Sequence, residues 1–184
     1  MNMKNTTILA IAAALACVVS QADATPISGQ IDFVGFNAAF DSPSTSTATE
    51  VNSWGTIFAG GGTGTLNGDS GPVTISSPWT FTSGSIPSFI TFDGFTFALT
   101  GSAIESQGGS GHSAFVDVSG TGILSGNGYT PSVFDYSFSS TGANTPGSQS
   151  FQASITAVPD GGTTVALLGG ALTALGLIRR KLVA

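Results

Sequence analysis

Side chains able to do acid–base or nucleophilic chemistry are few in this sequence. His112 is its single imidazole and Cys17 its single thiol. Gly111-His112-Ser113-Ala114-Phe115 approaches the strand–turn–helix elbow that exposes a nucleophilic serine. However, Phe115 stands where that turn needs glycine for close backbone approach, and no helical pattern follows. His112 therefore reads as a solvated loop residue, and no catalytic residue is assigned. Eight carboxylates between residues 25 and 158 (Asp32, Asp41, Glu50, Asp69, Asp93, Glu105, Asp117, Asp135) offer many pairs. A carboxylate pair across a cleft is the equipment of glycoside hydrolysis. Yet Asp93 adjoins a turn glycine, and Asp117 and Asp135 fall at outward positions of alternating segments, where carboxylates act as solubilising charges. One or two of the eight could ligate Ca²⁺, but no spacing singles out a metal site. Gly61 to Leu66 approaches a calcium-binding nonapeptide, with Leu66 in the place of the ligand and no recurrence. Gly109-Ser110-Gly111-His112-Ser113-Ala114 fits a dinucleotide fingerprint but opens no helix. Neither metal nor cofactor is expected, and a non-enzymatic protein is.

The basic residues sharpen this. Lys4, Arg179, Arg180 and Lys181 are the only ones, so Thr25 to Val158 contains no Lys or Arg and carries about eight negative charges. Nucleic-acid binding needs a basic face to displace counterions, and none exists here. Arginine clamps, Schiff-base lysines and phosphate-loop lysines are absent from the same stretch.

The two ends carry addresses. Residues 1–24 read as a signal peptide: Lys4 precedes an apolar run from Ile8 to Val19, and Ala22-Asp23-Ala24 gives a small-x-small site with cleavage before Thr25. That run is short of the roughly 20 residues a membrane span needs. Sec export machinery and signal peptidase are the implied partners. Lipidation at Cys17 is the alternative, but Leu15 lies one place too late for the usual acceptor motif. Removal of the peptide leaves a chain with no cysteine and so no disulfide.

At the other end, Val158-Pro159-Asp160-Gly161-Gly162-Thr163-Thr164 precedes an apolar helix predicted over residues 165–178, closed by Arg179-Arg180-Lys181. Counted from Thr163, the helix would extend about 24 Å, somewhat less than a hydrocarbon core of about 30 Å. The basic cluster would stay cytoplasmic and leave residues 25–158 outside. The residues alone describe a C-terminal membrane anchor.

This three-part tail resembles the PEP-CTERM sorting domain in its VPDSG form, Val-Pro-Asp-Ser-Gly-Ser-Thr followed by an apolar segment and an arginine-rich end. Val158, Pro159, Asp160, Gly162 and Thr164 match; Gly161 and Thr163 each stand for Ser. The resemblance implies recognition by an exosortase, a membrane-embedded, cysteine transpeptidase-like enzyme thought to cleave near the motif. Such systems accompany exopolysaccharide production in Gram-negative bacteria, which makes exopolysaccharide a further candidate partner. The implied path is export, an inner-membrane-tethered intermediate, then the cell surface or extracellular matrix. The expected mature chain runs from Thr25 to about Val158–Gly162, without a transmembrane helix.

The domain between the addresses, residues 25–157, has a β composition. All seventeen aromatics and most glycines lie between residues 25 and 158. Phe134 to Phe138 alternates without error, and Phe89 to Leu99 alternates around a break at Asp93-Gly94. Ile31-Asp32-Phe33, Val73-Thr74-Ile75, Trp79-Thr80-Phe81 and Phe151 to Ile155 are further strands. Phe115 to Val118 leads into Ile123-Leu124 across Ser119-Gly120-Thr121-Gly122. Turns are expected at Asn67-Gly68-Asp69, Gly108 to Gly111 and Ser125 to Gly128. About eight short strands predict an all-β fold, a single β-sandwich or jelly roll. Asp41 to Gly71 is weakly patterned; Asp41 to Thr49 reads as a flexible loop and Gly60 to Gly64 as a glycine run with little to pack. Such a domain suits a surface or matrix protein. The rivals are a carbohydrate-binding or adhesive module with Trp54 or Tyr129 as its platform, and an acid-pair hydrolase.

Overall fold

Alternation of apolar with Ser and Thr positions becomes ten strands in the computed structural model, which describes residues 25–142 and 149–158 together with Leu168, Gly169, Ala171 and Leu172. They are β1 (Gln30–Phe40), β2 (Glu50–Ser53), β3 (Thr56–Gly60), β4 (Val73–Ile75), β5 (Trp79–Thr80), β6 (Ile86–Phe92), β7 (Phe95–Gly108), β8 (Phe115–Gly126), β9 (Ser132–Thr141) and β10 (Gln149–Ala157). All pair antiparallel, in the order β4-β6-β7-β8-β9-β10-β1-β2-β5, with β3 also on β1. β1 serves both neighbours by changing partner along its length: Asp32 to Phe36 face β3, while Ala39 and Phe40 face β2.

The sheet is curled. β6 and β1 are five strand spacings apart along the order, about 24 Å on a flat sheet. Yet the rings of Phe33 on β1 and Phe92 on β6 meet at 5.3 Å. One face of every long strand is thereby enclosed: Phe33 and Ile31 from β1, Phe151 and Ile155 from β10, Phe134, Tyr136 and Phe138 from β9, Phe97 and Leu99 from β7. β5 lies across this concavity. Trp79 is fully buried and its indole lies 5.1 Å from Phe89, 5.7 Å from Tyr136 and 5.3 Å from Phe138, mostly in tilted or edge-to-face contacts.

β8 runs unbroken through Ser119 to Gly122, carrying Phe115–Val118 into Ile123-Leu124 as one strand. Gly122 is needed for space, since a Cβ there would fall against the Phe97 ring and the Ala98 carbonyl. Two expectations need correction. First, Asp41 to Thr49 is pinned rather than loose. Asp41 accepts from the Thr49 N–H at 2.9 Å, the Thr49 hydroxyl at 2.6 Å and the Glu50 N–H at 3.1 Å. Gln107 Nε2 donates to the carbonyls of Thr45 and Ala48 at 2.8 and 2.7 Å, and both of those residues are buried. Second, the glycine run is closely packed at two positions, while Gly61 is open: a Cβ on Gly62 would collide with the Leu66 carbonyl and one on Gly64 with the Ser28 carbonyl, and Leu66 is buried in a 3₁₀ turn. The weakly patterned stretch also holds β2 and β3, giving ten strands where about eight were expected.

Candidate functional site

Three segments distant in sequence meet at one pole of the sheet. Thr25 accepts at its carbonyl from the Thr130 N–H (3.1 Å), and the Ile27 N–H donates to the Thr130 carbonyl (3.4 Å). Pro26 and Thr130 form a parallel bridge. On the other side, Ala157 N–H donates to Gly29 (2.8 Å) and Val158 N–H to Val133 (3.0 Å). The expected first residue of the exported chain is thus held by Thr130, in the connection between β8 and β9, and the first residue of the tail motif by Val133, near the start of β9. Between them lies an open groove of about 800 Å³, lined by residues 26–29, 130–133, Ala157 and Val158. No charged side chain is among them.

Of the residues assigned from sequence, Thr25 and Val158 lie at this pole and are exposed. Ala22 and Ala24, Pro159 to Thr164, and Arg179, Arg180 and Lys181 lie outside the described residues. From the predicted apolar helix, Leu168, Gly169, Ala171 and Leu172 are described and helical. Among the described residues no helix is long and apolar enough to cross a membrane.

The convex face is polar and ordered by register. One ladder crosses five strands: Asp117 opposes Ser139, Ser139 opposes Gln152, Gln152 opposes Val34 and Val34 opposes Phe58. A shallow groove of about 410 Å³ on this face is lined by both Asp32 and Asp117. Those strands, β1 and β8, are separated by β10 and β9, about 14 Å across the sheet, and Asp32 lies two residues off the register row of Asp117. That separation exceeds the roughly 5 to 9.5 Å of inverting and retaining glycosidases. Asp117 instead accepts from Ser106 at 2.7 Å and Glu105 from Ser119 at 2.5 Å. No carboxylate among the described residues is buried.

Asp69 and Asp93 do come together. Burial raises the Asp69 pKa above its ordinary value, and the charge of Asp93 and a hydrogen bond between the two raise it further. Among the described residues no group of three His, Cys, Asp or Glu side chains is placed to hold a metal ion. His112 is exposed in a 3₁₀ turn joining β7 to β8, with no helix after it.

The expected aromatic platforms are packed, not presented. Trp54 stacks on Trp79 at 6.0 Å and tilts against Phe151 at 4.8 Å, its indole N–H donating to the Ser76 carbonyl. Tyr129 stacks on Phe95 at 6.2 Å. The exposed aromatics are Phe36 (48 %) and Phe58 (57 %), on β1 and β3 beside Val34. Three other large apolar residues of the domain are exposed, namely Ile123, Val133 and Val158. Ile123 opposes Val133, and Val133 accepts from Val158. Their signal was present in sequence: in Ile123-Leu124 and Val133-Phe134 two apolar residues are consecutive, so a strand must turn one of each pair outward.

Residues 157–182 match the family model described as the VPDSG-CTERM motif. No curated protein and no solved structure shows significant similarity to the chain.

Proposed function

Because residues 157–182 are a VPDSG-CTERM motif, a PEP-CTERM-like sorting signal, we propose that this chain is an exported acidic β-domain without catalysis of its own. An exosortase-type system delivers it to the cell surface or extracellular matrix. Signal peptidase removes residues 1–24; the apolar segment 165–178 then holds the intermediate in the inner membrane as a helix, with Arg179 to Lys181 on the cytoplasmic side. Cleavage falls between Val158 and Gly162. The observation that carries this reading is the matched motif beginning at Ala157, the last residue of β10, so that the rest of the address follows the last strand in sequence. In architecture we read the curled sheet, with β2 and β5 folded over its concave face, as a sandwich-like closure.

Intact-mass spectrometry of the protein from its native host, with and without the exosortase, tests the proposal. The expected product begins at Thr25 and ends between Val158 and Gly162 only when the enzyme is present. A mass that still includes Arg179–Ala184 in both hosts would leave a plain membrane anchor.

A second reading, a carbohydrate-binding module, is favoured by the exposed pair Phe36 and Phe58 beside Gln152 and Asp32. Aromatic faces stack on sugar rings while amide and carboxylate groups bind hydroxyls, and the lack of Lys and Arg selects a neutral glycan. Glycan-array binding lost on Phe58→Ala is the expected result, and a wild-type domain that binds no neutral glycan would dismiss the reading.

A further inference from the structure

Resting on the sorting reading above, we propose that the pole carrying Ile123, Val133 and Val158, beside a groove with no charged side chain in its lining, is a docking surface for the sorting peptidase, which reads the folded domain as well as the tail. Three observations converge. First, three of the five exposed large apolar residues described between residues 25 and 158 are gathered where the tail leaves: Ile123 is 42 % exposed, Val133 53 % and Val158 41 %. Second, the groove beside them is lined by Pro, Ile, Ser, Gly, Thr, Val and Ala alone, on a domain carrying about eight negative charges. Third, there is no spacer. Val158 opens the motif and is hydrogen-bonded to Val133, while the apolar run begins at Val165. Seven residues at full extension reach about 24 Å.

Proteins that recognise an extended peptide commonly pair with it as a strand. Upstream of Val158 that mode is closed, because β10 is paired on both edges, to β9 and to β1. An enzyme cutting within the first residues of the motif must therefore meet the pole itself, and the groove there gives it area to bury whose lining includes no carboxylate. A lipid contact would favour interfacial Trp, Tyr, Lys or Arg, and the groove contains none.

The experiment uses the full-length precursor in host membranes carrying the peptidase, with conversion followed by pulse–chase. Val133→Asp and Ile123→Asp each place a charge at an exposed side chain and leave the backbone pairing intact. Phe36→Asp is the control; it is equally exposed but about 20 Å along β1 from the pole. Both pole variants are expected to slow conversion roughly tenfold, equivalent to about 1.4 kcal/mol, while the control matches wild type. Unchanged conversion in both pole variants overturns the docking surface. If either variant fails to fold by circular dichroism, the other carries the test. Wild type that is not cut even with the enzyme present overturns the sorting reading instead. If slow conversion of Val133→Asp comes with lost binding of precursor to phosphatidylglycerol–phosphatidylethanolamine vesicles, the patch is a lipid contact and the docking proposal falls.

Discussion

The indole N–H of Trp54 donates to the carbonyl of Ser76 at 2.9 Å, tying the connection between β2 and β3 to the residue that follows β4. β3 hangs on one margin of the long sheet and β4 ends the other, so this bond fastens the two margins across the opening. Trp54→Phe keeps most of the ring packing and leaves the Ser76 carbonyl without its donor, at a cost of about 1 kcal/mol. Trp54→Ala also removes the contacts to Trp79, Phe138 and Phe151, at a cost of about 3 kcal/mol. Urea denaturation monitored by the fluorescence of Trp79 separates the two. Equal costs would mean that the bond, not the packing, closes the sheet.

Gly35 sits where a Cβ would fall within the ring of Phe151, its register partner on β10. The aromatic ring lies over the glycine, an arrangement that pins strand register. Gly35→Ala is expected to cost about 3 kcal/mol by forcing that ring off its rotamer. Adding Phe151→Leu should cost less in the Gly35→Ala background than in wild type, since the smaller side chain relieves part of the clash that the new Cβ creates. Strict additivity in a double-mutant cycle would refute the contact.

The strands that alternate cleanly were legible because each signal is local: Phe134, Tyr136 and Phe138 face inward on β9 as their spacing requires. β3 was hidden because Ile57, Phe58 and Ala59 are consecutive apolar residues, with Phe58 turned outward. The glycines within β8 admit the Phe97 ring and the neighbouring backbone and do not turn the chain. The same division holds for the site. The tail motif is contiguous and could be read directly. The pole is assembled from residues 26–29, 123–133 and 157–158, and only pairing brings them together.

Asp41 makes the connection between β1 and β2 pH-dependent. Burial pushes its carboxyl up, but hydrogen bonds from the Thr49 hydroxyl and the Thr49 and Glu50 N–H groups outweigh this, and the net direction is down from 3.8. A depressed folded pKa gives stability that is present above the unfolded value and lost as pH falls through the folded one. The side chain is exposed, so solvent screening holds the contribution to about 1 kcal/mol. Asp41→Asn should be less stable than wild type at pH 7 and indistinguishable from it at pH 2 in thermal melts. A deficit that persists unchanged at pH 2 would contradict the assignment.

Asp69 should behave with the opposite sign. Its pKa is raised from 3.8, first by burial and then by the charge and hydrogen bonding of Asp93, and its Oδ2 is buried without a protein partner. The folded state therefore holds the Asp69 proton more tightly than the unfolded state does. The stability this supplies is complete below the unfolded pKa and is lost as pH rises through the folded one. At neutral pH the ionised pair repels and one carboxylate oxygen is poorly solvated. Asp69→Asn removes that charge and is expected to raise stability at pH 7 by roughly 0.5 kcal/mol after allowance for solvent screening. The gain should vanish below pH 3. Asp93→Asn, which removes the Coulombic partner but not the burial, should recover only part of the gain. Melting curves of the two variants between pH 3 and pH 7 test the argument, and an Asp69→Asn protein less stable than wild type at pH 7 would show that the carboxylate is held by favourable contacts instead.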